Sequence, residues 1–208
     1  MQFQVCSFFV CHSVVVLCAC ANIVNCSRKR PKTHKRNRHF SVELLINQNE
    51  KTMSVKVGEK APAFTLYNTE KQEVSLQDYQ GKNVVLLFFP LAFTSVCTDE
   101  LCHMRDNIAE YEKLDAEVLA VSVDSPFTLE KFKAEQNLNF PLLSDFNKEV
   151  SRNYGALYED FVFDMKGVSK RSAFIIDKEG KVRYAEVLDN AGNLPNFAAV
   201  KETLAELN

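Results

Sequence analysis

The sequence predicts an α/β domain with a mixed central sheet flanked by helices. Three observations carry this. Val84-Val85-Leu86-Leu87-Phe88 and the run Glu117–Val123 (EVLAVSV) are apolar and too short for helices, as expected of strands buried on both faces. Segments with apolar residues three or four apart follow each of them. Near the end, Ala173–Asp177 and Val182–Val187 flank Lys178-Glu179-Gly180-Lys181, a hairpin signal, and one more helical segment follows. Strands that alternate with helices and close on a hairpin and a helix make a layered α/β architecture.

The elements read in order. Ala61–Leu66 and Val74–Leu76 predict short strands joined by a polar turn, and Asp78–Lys82 a turn or short helix ending at Gly81. Val84–Phe89 is the first buried strand. Leu101, Met104, Ile108, Tyr111 and Leu114 lie on one face of a helix over about 95–114. Glu117–Val123 is the next strand. Ser125-Pro126 then opens a helix, with proline in its first turn. Phe140–Leu143 predicts a short strand, and Asn147–Tyr154 a short helix stopped by Gly155. The last helix, over about 194–207, turns Phe197, Val200 and Leu204 to one side.

Composition divides the chain. Residues 1–27 are apolar and cysteine-rich, and residues 28–39 carry seven Lys or Arg and no acid. Residues 1–52 have a net charge of +6 against −2 for the whole chain, so the remainder carries −8. An acidic domain is a poor nucleic-acid binder. Residues 54–208 are expected to form one domain. Two readings of residues 1–52 stand. In one, translation begins at Met53 and the domain is cytoplasmic. In the other, Phe3–Val24 is a signal or anchor segment, although the basic cluster follows it, the wrong order for a standard secretory signal. Five of the seven cysteines lie in that leader, leaving Cys97 and Cys102 to the domain. Two such cysteines are not a disulfide scaffold; in a reducing compartment they point to catalysis. No cofactor and no metal are expected, since the domain has no second Cys/His cluster beside Cys97, Cys102 and His103.

The segment from Pro90 to Cys102 carries the function. A buried strand delivers Cys97 to the first turn of a helix, where unpaired N–H groups carry partial positive charge and favour thiolate over thiol. Pro90, Thr94 and Cys97 form Pro-x-x-x-Thr-x-x-Cys, which resembles the active-site motif of the peroxiredoxins, the thiol-dependent peroxidases. Arg171-Ser172-Ala173-Phe174-Ile175-Ile176-Asp177 is similar to that family's Arg-x-x-Phe-x-x-Asp strand. The resemblance covers nearly all of residues 54–208. It implies a thioredoxin-like fold, Cys97 as the attacking thiolate, and Arg171 paired with the thiolate and the peroxide oxygens. Thr94 would reach the bound peroxide, Pro90 would cover the thiolate, and Glu100 would help hold the hydrogen bonds.

A free thiol is only about 3% ionised at neutral pH. Lowering its pKa to about 6 gains about thirty-fold in thiolate, but lost nucleophilicity takes back roughly tenfold. Most of a fast reaction must therefore come from donors placed where negative charge develops as the O–O bond breaks. Cys102 is the natural resolving thiol. The cycle would run through a sulfenic acid on Cys97 and a disulfide, with reduction by a thioredoxin-type partner. Residues five apart in an α-helix have Cα atoms roughly 8.6 Å apart, while a disulfide needs about 4.4–6.8 Å, so the first helical turns are expected to unwind in each cycle.

Plainer readings compete. Cys97 is otherwise a buried filler, Cys102 core packing, and Thr94 only an N-cap. Arg171 is otherwise a solvated charge among Lys166, Lys170 and Lys181, and His103 a helix residue with no ligand role. Pro-Leu-Ala-Phe-Thr and Arg183-Tyr184-Ala185-Glu186 are similar to the alkyl hydroperoxide reductase E branch, often one-cysteine enzymes. The Cys-x-x-x-x-Cys spacing is similar to the bacterioferritin comigratory protein branch, which resolves within the subunit. A Gly-Gly loop and C-terminal Tyr-Phe mark the overoxidation-sensitive members; this sequence has neither, which implies resistance to excess peroxide. The resemblance also implies a homodimer. A thioredoxin-like disulfide reductase would be expected to show Cys-x-x-Cys, which is absent, and a non-enzymatic redox relay would use the same two cysteines.

Overall fold

The computed structural model describes residues 55–208; the leader lies outside them. Seven strands form one mixed sheet. They are β1 (Thr65–Asn68), β2 (Glu73–Ser75), β3 (Asn83–Phe88), β4 (Ala116–Ser122), β5 (Leu142–Ser144), and, after a separate hairpin of β6 (Leu157–Asp160) and β7 (Lys166–Ser169), β8 (Ser172–Ile176) and β9 (Val182–Val187). The order across the sheet is β2-β1-β5-β4-β3-β8-β9, with β3, β4 and β5 parallel and the remaining pairs antiparallel. The helices are α1 (Ser95–Lys113), α2 (Pro126–Glu135), α3 (Glu149–Asn153) and α4 (Phe197–Glu206).

The period of two in β3 sorts its side chains between two cores. Val85, Leu87 and Phe89 face Leu101, Met104 and Tyr111 of α1, Leu129 and Phe132 of α2, and Val200 and Leu204 of α4. Val84, Leu86 and Phe88 face the other way, with Val150 of α3, Tyr154, Phe174 and the N-terminal Ala61 and Phe64. Every residue of β3 and β8 is buried, which is why both read as unbroken apolar runs.

The register of β8 against β3 sets up the site. Phe88 pairs with Ser172, so Arg171 lies one residue past the last pair, level with Phe89 and Pro90. Arg171 shares its parity with Ala173 and Ile175, both in the core beneath α1. Its side chain is thereby aimed at the start of α1.

Several boundaries differ from the sequence expectation, and prolines explain most of them. The first strand begins at Thr65, not Ala61, because Pro62 has no N–H to give a ladder; upstream, Ala61 N–H bonds the Gly180 carbonyl and only a single bridge forms, Lys60 to Lys181. Pro141 likewise delays β5 to Leu142, while its carbonyl accepts from Ala120 N–H. Pro195 and the capping Asn196, whose side chain accepts from Ala199 N–H, start α4 at Phe197. Lys148 in the left-handed region (φ 66°) starts α3 at Glu149, and Gly155 (φ 68°) stops it as expected. The β6–β7 hairpin was not predicted. It turns through Phe163, which is 92% exposed, and Gly167 in β7 takes the left-handed backbone (φ 66°) that favours glycine.

Phe174 is buried edge-on to Phe88 and Tyr154, with ring centroids 5.8 and 5.2 Å away. Phe174→Ala is expected to cost about 3–5 kcal/mol of stability, read from urea unfolding. A loss below about 1 kcal/mol would mean that this face of the sheet is not the tightly packed one described.

Candidate active site

Beyond β3 the chain runs through buried Phe89 and Pro90 into a tight loop, Leu91 to Thr94, and enters α1. The loop is pinned from two sides. Asp124, just past β4, accepts from Ala92 N–H at 2.7 Å and from the Ser122 hydroxyl at 2.7 Å. Phe93 holds a left-handed backbone (φ 63°), which is costly for a bulky residue. Its ring is retained edge-on against Phe132, 5.0 Å between centroids. Thr94 has the extended backbone of an N-cap, but its side chain does not cap the helix; its hydroxyl donates to the Leu91 carbonyl at 2.9 Å. The N-cap reading of Thr94 thus holds for the backbone only.

Cys97 is the third residue of α1 and is fully buried. Arg171 Nη2 lies 3.3 Å from its Sγ. Arg171 is itself only 1% exposed, so it is not the solvated charge of the plainer reading. Its donors are shared out. Nη1 bonds a carboxylate oxygen of Glu100, one turn along α1, while Nε and Nη2 both reach the Ala191 carbonyl, at 3.2 and 2.9 Å. That carbonyl belongs to the loop between β9 and α4.

Burial raises the Glu100 carboxyl to about 7, and the attraction of Arg171 opposes this without overcoming it. The other carboxylate oxygen, Oε1, is buried with no hydrogen-bond partner. Loss of water therefore outweighs one ionic contact. For Arg171 burial acts against the charge, but Glu100 and then Cys97 more than restore it, and its pKa lies above the ordinary arginine value. The cation beside Cys97 is permanent.

Cys102 lies on the same unbroken helix, half-buried, with its sulfur donating to Gln136 Oε1 at 3.8 Å. Arg105 Nη1 holds the Gln136 carbonyl at 2.6 Å and so fastens α1 to the end of α2. Both cysteines are free thiols. His103 is an exposed helix residue, its ring on Phe197 with centroids 4.9 Å apart.

The structure thus brings Cys97, Arg171 and Glu100 into contact, sets buried Pro90 at the strand end and Thr94 at the helix entry, and keeps Cys102 apart on the helix. Sequence reading missed Asp124 and the Ala191 carbonyl. Asp124 follows a strand that ends in Ser122, a possible turn signal. A backbone carbonyl in a loop has no sequence signature at all.

A buried thiol facing a buried guanidinium on a thioredoxin-like sheet defines a thiol-based oxidoreductase. Residues 57–185 match the AhpC/TSA family. The chain is 42% identical over 134 residues to alkyl hydroperoxide reductase E of Mycobacterium tuberculosis, covering 63% of this chain and 84% of that protein. It is 41% identical over 162 residues to the chloroplastic 2-Cys peroxiredoxin BAS1 of Spinacia oleracea, covering 73% and 58%. Among solved structures, a peroxiredoxin-like protein from Aquifex aeolicus superposes with a TM-score of 0.68 at 31% identity, over 74% of this chain and 89% of that one. Peroxidoxin BcpB of Mycobacterium tuberculosis gives 0.66 at 26% identity, over 74% and 99%. The chain belongs to the AhpC/TSA family, the peroxiredoxins, and is a peroxidase of the oxidoreductase class. Among the described residues no helix is long and apolar enough to cross a membrane.

Asp124→Ala leaves the Ala92 N–H and the buried Ser122 hydroxyl without their acceptor. It is expected to cost about 1–3 kcal/mol in stability and to slow peroxide reduction, measured by thermal melting and single-turnover kinetics. Unchanged kinetics in a destabilised variant would show that the loop keeps its shape without Asp124.

Proposed function

We propose that this protein reduces hydrogen peroxide and organic hydroperoxides with Cys97 as the attacking thiolate, in antioxidant defence and redox homeostasis. The observation that carries it is Arg171 Nη2, 3.3 Å from Cys97 Sγ at the first turn of α1. The Cys97 sulfur attacks the outer oxygen of the peroxide and an S–O bond forms. The O–O bond breaks, its electron pair leaves on the departing oxygen, and that oxygen takes up a proton. Arg171 and the N–H groups at the start of α1 face the developing charge, already oriented and sheltered from water. Thr94, whose hydroxyl hydrogen is committed to Leu91, offers lone pairs to the peroxide O–H. Pro90 shields the thiolate.

Cys102 then attacks the Cys97 sulfenic acid. The S–S bond forms, the S–O bond breaks, and water leaves. A thioredoxin-type dithiol reduces the disulfide and resets the enzyme, which suits a reducing, cytoplasmic compartment. The name of the alkyl hydroperoxide reductase E relative supports the organic substrates. A homodimer is part of the same reading. It is supported by exposed phenylalanines, Phe93, Phe127 and Phe146, one following each of the parallel strands β3, β4 and β5.

Intact mass of the full chain after one equivalent of peroxide tests the cycle. Loss of two hydrogens is expected, replaced in Cys102→Ser by one added oxygen on Cys97. No rapid mass change would sink the peroxidase reading for Cys97. Arg171→Met is expected to slow the first step by about 10²–10³-fold, the scale of losing a fixed donor at a charged transition state. Arg171→Lys is expected to restore little, because one ammonium cannot hold the sulfur, Glu100 and the Ala191 carbonyl together.

A further inference from the structure

Four residues separate Cys97 from Cys102: Thr98, Asp99, Glu100 and Leu101. Asp99 is exposed and Thr98 half-buried, but Glu100 and Leu101 are both 0% exposed. These two side chains tether the segment that must unwind before the sulfurs can meet. They act in opposite senses. Leu101 packs with Met104, Phe89 and Leu87 in the core, and unwinding would expose it, so it favours the wound helix. Glu100 has one oxygen on Arg171 and the other bare and buried, so unwinding would return an under-solvated carboxylate to water.

We propose that Glu100 is a positioning residue that primes the first turns of α1 to unwind, its buried, half-satisfied carboxylate offsetting the packing of Leu101 whenever it is ionised. This rests on Cys102 being the resolving thiol, since that is the thiol the unwinding would serve. The ionisable groups around Glu100 are Arg171 from the start of β8, Cys97 one turn back and His103 one turn on, the last turned onto Phe197. Arg171 stays charged throughout; Cys97 and His103 are also ionisable, so the comparison that isolates Glu100 is the one in which Glu100 alone is replaced.

The direction with pH follows. The Glu100 pKa is raised in the wound state, to about 7, and returns towards 4.5 when the segment opens to water. A group raised in the ordered state stabilises that state fully below its solvated pKa and loses this contribution as pH rises through the raised one. The wound helix is therefore held most firmly below about 4.5 and progressively less up to about 7, above which the effect is constant. At neutral pH the active site sits at the loosened end of that range. Rapid resolution protects Cys97 from a second peroxide.

The test is amide exchange in the reduced full chain, wild type against Glu100→Gln, which keeps the shape and the contact to Arg171 but cannot ionise. At pH 7.5 the amides of residues 98–103 are expected to exchange roughly tenfold or more slowly in Glu100→Gln than in wild type. At pH 5 the ratio is expected to shrink to a few-fold, and residues 106–113 to be unaffected at either pH. After peroxide, Glu100→Gln is expected to close its disulfide more slowly and to add two oxygens to Cys97 more readily. Exchange as fast as wild type or faster at pH 7.5 would overturn the proposal, because the ion pair would then be a net clasp. Should the variant not fold, the pH profile is read in a Cys97→Ser, His103→Asn chain, which removes the other two groups around Glu100 that are not permanently charged. Opening of 98–103, referred to 106–113 at each pH, must rise between pH 5 and 7.5, and a flat profile refutes the idea. Failure of the underlying reading looks different: wild type would show no intrasubunit disulfide by mass, whatever its exchange profile.

Discussion

The arrangement depends on burying one guanidinium. Arg171 cannot leave water without acceptors for its fork of donors, and an unpaired buried charge would cost several kcal/mol. The fold supplies three acceptors from three places: Cys97 and Glu100 from successive turns of α1, and the Ala191 carbonyl from the β9–α4 loop. None is near Arg171 in sequence. They meet because β8 pairs with β3 in a register that sets Ser172 opposite Phe88. A slip of one residue would turn Arg171 to the opposite face, towards the cluster that holds Phe64 and Tyr154 and away from Cys97, Glu100 and the Ala191 carbonyl. The fully buried β3–β8 pair makes such a slip prohibitive. The packing of two apolar strands thus fixes the position of the site's cation.

This shifts weight away from thiol acidity. A more acidic thiol is more ionised but less nucleophilic, and the two effects largely cancel. What does not cancel is a donor set held in place before the reaction. Arg171 is fastened to Glu100 and to the Ala191 carbonyl, and the entry loop is fastened by Asp124 and by the packing of Phe93 on Phe132. Orientation completed during folding need not be completed during the reaction.

Much of this was legible in the sequence, and the reason differs by element. β3, β4 and α1 declare themselves because burial on two faces or on one helical stripe leaves a periodic apolar trace. Cys97, Arg171, Pro90 and Thr94 stand out as local motifs. The shifts at Thr65, Leu142 and Phe197 follow from Pro62, Pro141 and Pro195, which lack an N–H for a strand ladder or a helix interior. The β6–β7 hairpin was illegible for a different reason. It is a two-stranded ribbon outside the main sheet, carrying Glu159, Asp160 and Lys166, so neither periodicity nor apolar content marks it. Its strands are held by pairing with each other, Leu157 with Ser169 and Tyr158 with Val168, and not by the main sheet. The Ala191 carbonyl and the bare oxygen of Glu100 are products of tertiary packing. The resemblance gave Glu100 a share in the site's hydrogen bonds, but its full burial beside a buried cation has no local sequence signature.

That glutamate exposes a conflict built into the site. In the proposed cycle, the side chains that complete the pocket for Arg171 belong to the stretch of helix that would come apart for Cys102 to reach Cys97. A site assembled only from strong contacts would bind that stretch so firmly that the sulfenic acid would wait too long for its partner. A site assembled from weak ones would lose its orientation before peroxide arrived. On the proposed reading, Leu101, fully buried in the core, and Glu100, with one of its two oxygens unpaired, set the two tendencies against each other within adjacent residues. From Arg105 onward the helix is fastened to α2 through the Gln136 carbonyl, so the yielding part is bounded on its C-terminal side. Cys102 lies on the yielding side of that fastening, and its own bond to Gln136, through sulfur at 3.8 Å, is the weaker of the two.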